Sequence, residues 1–109
     1  MAQFDIHRNK GALRDSIPFV VVVQSAQFDR YRRRVVAPLV RQTLLPRDTP
    51  TVGARMNPAF VIEGVRVVLH PLDMVSVAFD QLGDLIGTLA PEWQIISDAL
   101  DELLTRSWG

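Results

Sequence analysis

Phe19-Val20-Val21-Val22-Val23 is the stretch around which the chain must fold. Four of its five residues are β-branched, which suits an extended backbone, and the absence of polar alternation predicts a central strand covered on both faces. Pro18 opens it and a largely polar loop over residues 24–31 closes it. Upstream, Phe4 and Ile6 alternate with Gln3, Asp5 and His7, predicting a short first strand with one buried face. Residues 8–16, with Asn9, Lys10 and Gly11, read as a loop or the wide end of a hairpin. Downstream, Arg34-Val35-Val36-Ala37-Pro38-Leu39-Val40 is extended again. Pro38 has no N–H to give to a ladder, so it predicts an edge position or a bulge there.

Residues 41–58 carry Pro46, Pro50, Gly53 and Pro58 and read as a loop. Residues 59–62, then Glu63-Gly64, then residues 65–69 predict a tight hairpin, with glycine supplying the positive backbone angle of the turn. Val75, Val77 and Phe79 alternate with Ser76, Ala78 and Asp80 and give one more strand. From Pro91 the period changes to that of a helix: Ile95, Ile96, Ala99, Leu100, Leu103 and Leu104 share one face, with Glu92, Asp98, Asp101 and Glu102 opposite. The reading is a mainly β, α+β fold, a β-meander closed by one C-terminal helix, in a single domain over residues 1–109.

Twelve basic and twelve acidic residues cancel, so the field that draws a protein onto a phosphate backbone is missing and direct nucleic-acid binding is disfavoured. There is no cysteine for a disulfide, a thiolate nucleophile or a zinc site, which fits a reducing cytoplasm. The run of residues 19–23 is too short to span a bilayer and no export pattern opens the chain, so a soluble, unexported protein without membrane contact is expected. His7 and His70 are far apart and read as surface or loop histidines, not metal ligands. Asp73, Asp80 and Asp84 lack the glycine spacing of a calcium loop and read as turn and solvent-face residues. No phosphate loop or nucleophile elbow is present, so neither an enzyme nor a cofactor is expected.

Two features stand apart. Arg30-Tyr31-Arg32-Arg33-Arg34 is a compact basic run entering a strand; it reads as a solvated sheet guard, or as a dock for an acidic, unfolded peptide. The chain closes on Ser107-Trp108-Gly109. Trp108 either continues the stripe Ile96, Leu100, Leu104 back onto the core or projects as an anchor for a partner.

Taken in order, these residues resemble the CcdB toxins of bacterial toxin–antitoxin modules. Gln3-Phe4, Val21-Val22-Val23-Gln24-Ser25 and Arg33-Arg34-Val35-Val36-Ala37-Pro38-Leu39 match the family's early strands; Asp73-Met74-Val75-Ser76-Val77, Gly83 and the closing Trp108-Gly109 match its second half. The resemblance implies a homodimer with the SH3-like fold shared by the CcdB, MazF and Kid toxins: a small twisted antiparallel β-barrel-like core, a second small sheet and a C-terminal helix at the dimer interface. It also implies a protein that is not an enzyme but poisons DNA gyrase, entering the A subunit dimer and trapping the cleaved gyrase–DNA complex.

The family's terminal Trp stacks on a gyrase arginine, which assigns Trp108 as the anchor with Ser107 and Gly109 as its supports, and a ring face is a good partner for a guanidinium. Gln27 and Phe28 occupy the positions of the family's second gyrase-contacting loop. A CcdA-like antitoxin with a disordered acidic C-terminal segment is the implied neutralising partner. Arg8, Lys10 and Arg14, with Arg30, Arg32, Arg33 and Arg34, are its electrostatic candidates, on charge complementarity.

The chain departs from the family in three places: Gln27 replaces an apolar residue, Ser107 replaces a common Phe, and the usual final Ile after Trp-Gly is missing. Two alternatives follow. One is a ribonuclease toxin of the same fold, using Arg34, Arg41, Thr43 and His70. The other is a degenerate, antitoxin-binding homologue inactive on gyrase.

Overall fold

A computed structural model describes residues 2–25, 27, 30, 32–45 and 55–104. Among them run β1 (Asp5–Asn9), β2 (Phe19–Val22), β3 (Arg33–Arg41), β4 (Ala59–Ile62), β5 (Val65–Leu69), β6 (Val75–Ala78), β7 (Leu82–Thr88) and the helix α1 (Trp93–Leu104). The strands make one antiparallel sheet in the order β4-β5-β3-β2-β1-β7, with β6 branching from β3. The sheet curls into a half-barrel with the helix at its C-terminal end, the mainly β class expected from the sequence.

β2 is central, as its composition requires. Phe19, Val20, Val21 and Val22 are all buried, between β1 on one side and β3 on the other. β3 is the hub. One edge pairs with β2 from Val22↔Val36 to Phe19↔Leu39; the other is shared between β6, opposite Arg33–Val36, and β5, opposite Leu39–Arg41. The second small sheet is therefore a branch of the first.

That sharing explains Pro38, which lies inside a central strand and not at an edge or a bulge. It pairs with Val20, and its carbonyl accepts the His70 N–H at 3.1 Å on the opposite side. The N and C=O of one strand residue face the same neighbour, so the proline nitrogen points at the handover between β6 and β5, where no residue of either strand pairs with it.

The first strand also differs from expectation. Phe4 precedes it with φ 71°, turning the chain into β1, and the strand runs on to Asn9 through residues expected to loop. Both its faces are buried: Ile6 with Phe4 inside, His7 on the other side at 8% exposure. The partner that buries His7 is β7, which the sequence reading left out. Leu82-Gly83-Asp84-Leu85-Ile86-Gly87-Thr88 has two glycines and adjacent Leu and Ile, so its alternation is broken, and the ladder to β1 is correspondingly irregular.

The β4–β5 hairpin forms as expected. Glu63 (φ 52°) and Gly64 (φ 78°) both take positive angles, as a two-residue type I′ turn requires. A short 3₁₀ turn, Ala90–Glu92, with Pro91 in it, leads into α1. Ile96 and Ala99 are fully buried, Leu100 packs against the same cluster, but Ile95 and Leu104 are exposed at 42% and 60%. The buried arc of the helix is thus narrower than the apolar arc of its sequence, because at 100° per residue those two lie on its flanks. Arg55 holds the polar side of the helix through Asp98 and Glu102, at 3.7 and 3.5 Å.

Candidate partner-binding surfaces

Where β2 ends, the chain leaves the ladder and its backbone groups need other partners. Gln24 meets this with its side chain, whose Oε1 accepts the Val35 N–H at 2.9 Å. The carbonyls of Gln24 and Ser25 accept from the Arg34 guanidinium at 3.3 and 3.1 Å. Ser25 Oγ in turn accepts the N–H of Gln27, which is exposed. One of the two loop positions matched to a gyrase contact is therefore presented to solvent at the end of a chain of hydrogen bonds. The other, Phe28, lies outside the described residues, as do Ser107, Trp108 and Gly109.

Arg34 corrects the sequence reading of the basic run. It is fully buried, not part of a solvated face: the alternation of β3 puts it on the same face as the buried Val36 and opposite to the exposed Arg33. Arg33 lies along β6, its Nε donating to Ser76 Oγ at 2.9 Å. Arg30, Arg32 and Arg33 line a shallow pocket with Phe79 and Asp80, so the exposed part of the run faces an aromatic edge and one carboxylate.

The cations of the first loop are each engaged separately, Lys10 at the Asp80 that also lines that pocket. Arg8 pairs with Glu63 at the hairpin tip at 2.9 Å, Lys10 donates to the Asp80 carbonyl at 3.1 Å and Arg14 to the Gly11 carbonyl at 3.4 Å. All three line one small recess with Asn9, Gly83 and Asp84.

The histidines are buried, not superficial. His7 Nδ1 lies 3.0 Å from the Gly83 carbonyl. His70, 8% exposed, closes β5 with Nδ1 3.1 Å from the Asp73 carboxylate. Asp73, Asp80 and Asp84 are exposed, as expected. The residues a ribonuclease of this fold would need are not gathered. Arg34 and Arg41 sit near opposite ends of β3, roughly 23 Å apart at strand rise. Arg41 and Thr43 share a recess with Arg66, without His70. Among the described residues no three His, Cys, Asp or Glu side chains are placed to hold a metal ion, and no helix is long and apolar enough to cross a membrane.

One surface escaped the sequence reading. The outer face of the sheet carries a groove of about 630 Å³ over Val20, Val36 and Pro38, walled by Leu13, Ile17, Leu72, Val75 and Leu82. Leu13, Leu72 and Val75 are at least half exposed. The walls come from separate segments, so no local periodicity announced them.

Against this geometry, a comparison with curated protein sequences returns no match. The family model described as CcdB protein matches residues 3–106. With almost the whole chain matched, on a curled sheet closed by a C-terminal helix, the protein belongs to the CcdB family, and that membership makes it the toxin of a toxin–antitoxin pair.

Proposed function

We propose that this toxin acts by binding alone, as a cytoplasmic homodimer that engages the DNA gyrase A subunit and traps the cleaved gyrase–DNA complex. Trp108 is the anchor, supported by Ser107 and Gly109, with Gln27 and Phe28 as a second contact. A CcdA-like antitoxin with an acidic, disordered C-terminal segment neutralises it, drawn by Arg8, Lys10 and Arg14 and by the exposed members of the basic run, Arg30, Arg32 and Arg33. Neither catalysis nor a cofactor is needed.

The observation that carries the reading is the fading burial along one stripe of α1. Ile96 is fully buried, Leu100 half-buried and Leu104 60% exposed, because each step of four residues drifts about 40° away from the buried arc, and the same spacing carried on to Trp108 falls further from it. A core role for the indole is weakened and an anchoring role gains. An indole offers a large apolar face to a guanidinium, and desolvation strengthens the pair. Two protomers facing a two-fold target engage twice, so a modest contact is reinforced by symmetry.

Purified protein, gyrase and supercoiled plasmid should accumulate protein-linked linear DNA. Trp108→Ala should abolish this while leaving the circular dichroism spectrum unchanged. Undiminished poisoning by the variant would remove Trp108 from the mechanism, and RNA cleavage by the wild-type protein would replace it with an enzymatic one.

A further inference from the structure

We propose that Arg34 is a positioning residue for target binding: its buried guanidinium fixes the backbone of Gln24 and Ser25, and through Ser25 sets the place of Gln27. The proposal rests on the reading of Gln27 as a gyrase contact.

A guanidinium taken out of water costs several kcal/mol unless its donors are met. Arg34 is fully buried, and one of its terminal nitrogens donates to two consecutive main-chain carbonyls. Those carbonyls belong to the two residues that have just left the β2–β3 ladder, the Val23 N–H having bonded the Val35 carbonyl at 3.2 Å. The arginine itself is fixed by the sheet, since it faces Val77 of β6 across the ladder. The link thus runs from a rigid strand, through a charge-assisted bond, to Ser25, whose Oγ accepts the Gln27 N–H at 3.2 Å. A loop held this way before it meets its partner loses less freedom on binding. Lysine is no substitute: a single ammonium on a flexible stem does not reproduce the planar fork.

The test measures amide hydrogen exchange and affinity for the gyrase A subunit in the full chain. It compares wild type with Arg34→Lys, Ser25→Ala, Gln27→Ala and the double variant Arg34→Lys/Gln27→Ala. Arg34→Lys should raise exchange at Gln27 while the amides of β1 to β3 keep their protection, and should weaken gyrase binding by roughly tenfold. Its effect should fail to add to that of Gln27→Ala, since both remove one contact. A merely structural arginine would lower the melting temperature but leave the two effects additive.

Unchanged exchange at Gln27 in a folded Arg34→Lys, or additive losses, would overturn the proposal. If Arg34→Lys does not fold, Ser25→Ala decides, because it cuts the last link with Arg34 in place; unchanged exchange and affinity there count against the proposal. If the wild-type protein does not bind the A subunit at all, the gyrase reading fails by itself. The exchange at Gln27 then still reports whether Arg34 holds the loop.

Discussion

On the inner face of the sheet, α1 and the β4–β5 hairpin close over Val21, Leu39, Val67 and Leu69 so completely that none keeps any exposure, and Ile96 of the helix is equally buried. On the outer face, Val20, Val22 and Val36 are covered by Ile17, Val77 and Leu82, and the face stays open beside them as a groove. Both faces draw on one run, since Val21 points inward and its neighbours Val20 and Val22 outward. A continuous apolar run thus states that both faces avoid water without stating what covers each. Here one cover is the chain's own helix, and the other is incomplete.

The largest effect should separate the two faces. Leu39→Ala removes a fully buried side chain from the inner core and should cost about 3 kcal/mol, read as a fall in melting temperature of more than about 10 °C. Leu72→Ser, at a 60%-exposed position on the groove wall, should cost less than about 0.5 kcal/mol. Comparable losses would mean that the outer face is a second core and not an open surface.

The same contrast marks what the residues disclosed. The central strand, the hairpin turn and the helix were legible because each is a local pattern: an unbroken apolar run, a Glu63-Gly64 pair, a change of period at Pro91. β7 was not, because its alternation is broken by two glycines, one of which, Gly83, serves close approach to a neighbouring backbone, which is a tertiary requirement. Pro38 misled for a related reason. Its preference for an unpaired side was read correctly, but a gap between two partners meets it as well as an edge does. The candidate site shows the same limit. Arginines 30 to 34 read as one charged run, and only the strand's alternation divides it into a buried clamp and an exposed pocket.

Gly83 sharpens the point about close approach. A Cβ there would lie 2.5 Å from the Arg8 carbonyl oxygen, a backbone atom that cannot step aside. Gly83→Ala should therefore force β7 away from β1 and cost about 1–3 kcal/mol. Increased exchange at the amides of β7, and at those of β1 that face it, would locate the damage. Gly87→Ala, where nothing lies within 4 Å of the added carbon, is the control in the same strand and should be close to neutral. Equal effects from the two would leave the broken alternation of β7 without its explanation.

The smallest effect concerns how the inner face is closed at its rim. Arg8 on β1 meets both carboxylate oxygens of Glu63 at 2.9 Å, tying the hairpin tip to a strand three places away in the sheet. Both side chains are nearly half exposed, so solvent screens the pair, and a double-mutant cycle with Arg8→Ala and Glu63→Ala should give a coupling of about 0.2–1 kcal/mol. Raising the salt concentration should shrink it further. A coupling well above that range, surviving high salt, would mean that the half-barrel is latched by this ion pair. A coupling within it leaves the closing to the apolar side of the same hairpin, where Ile62, Phe60 and Val65 pack into the inner core.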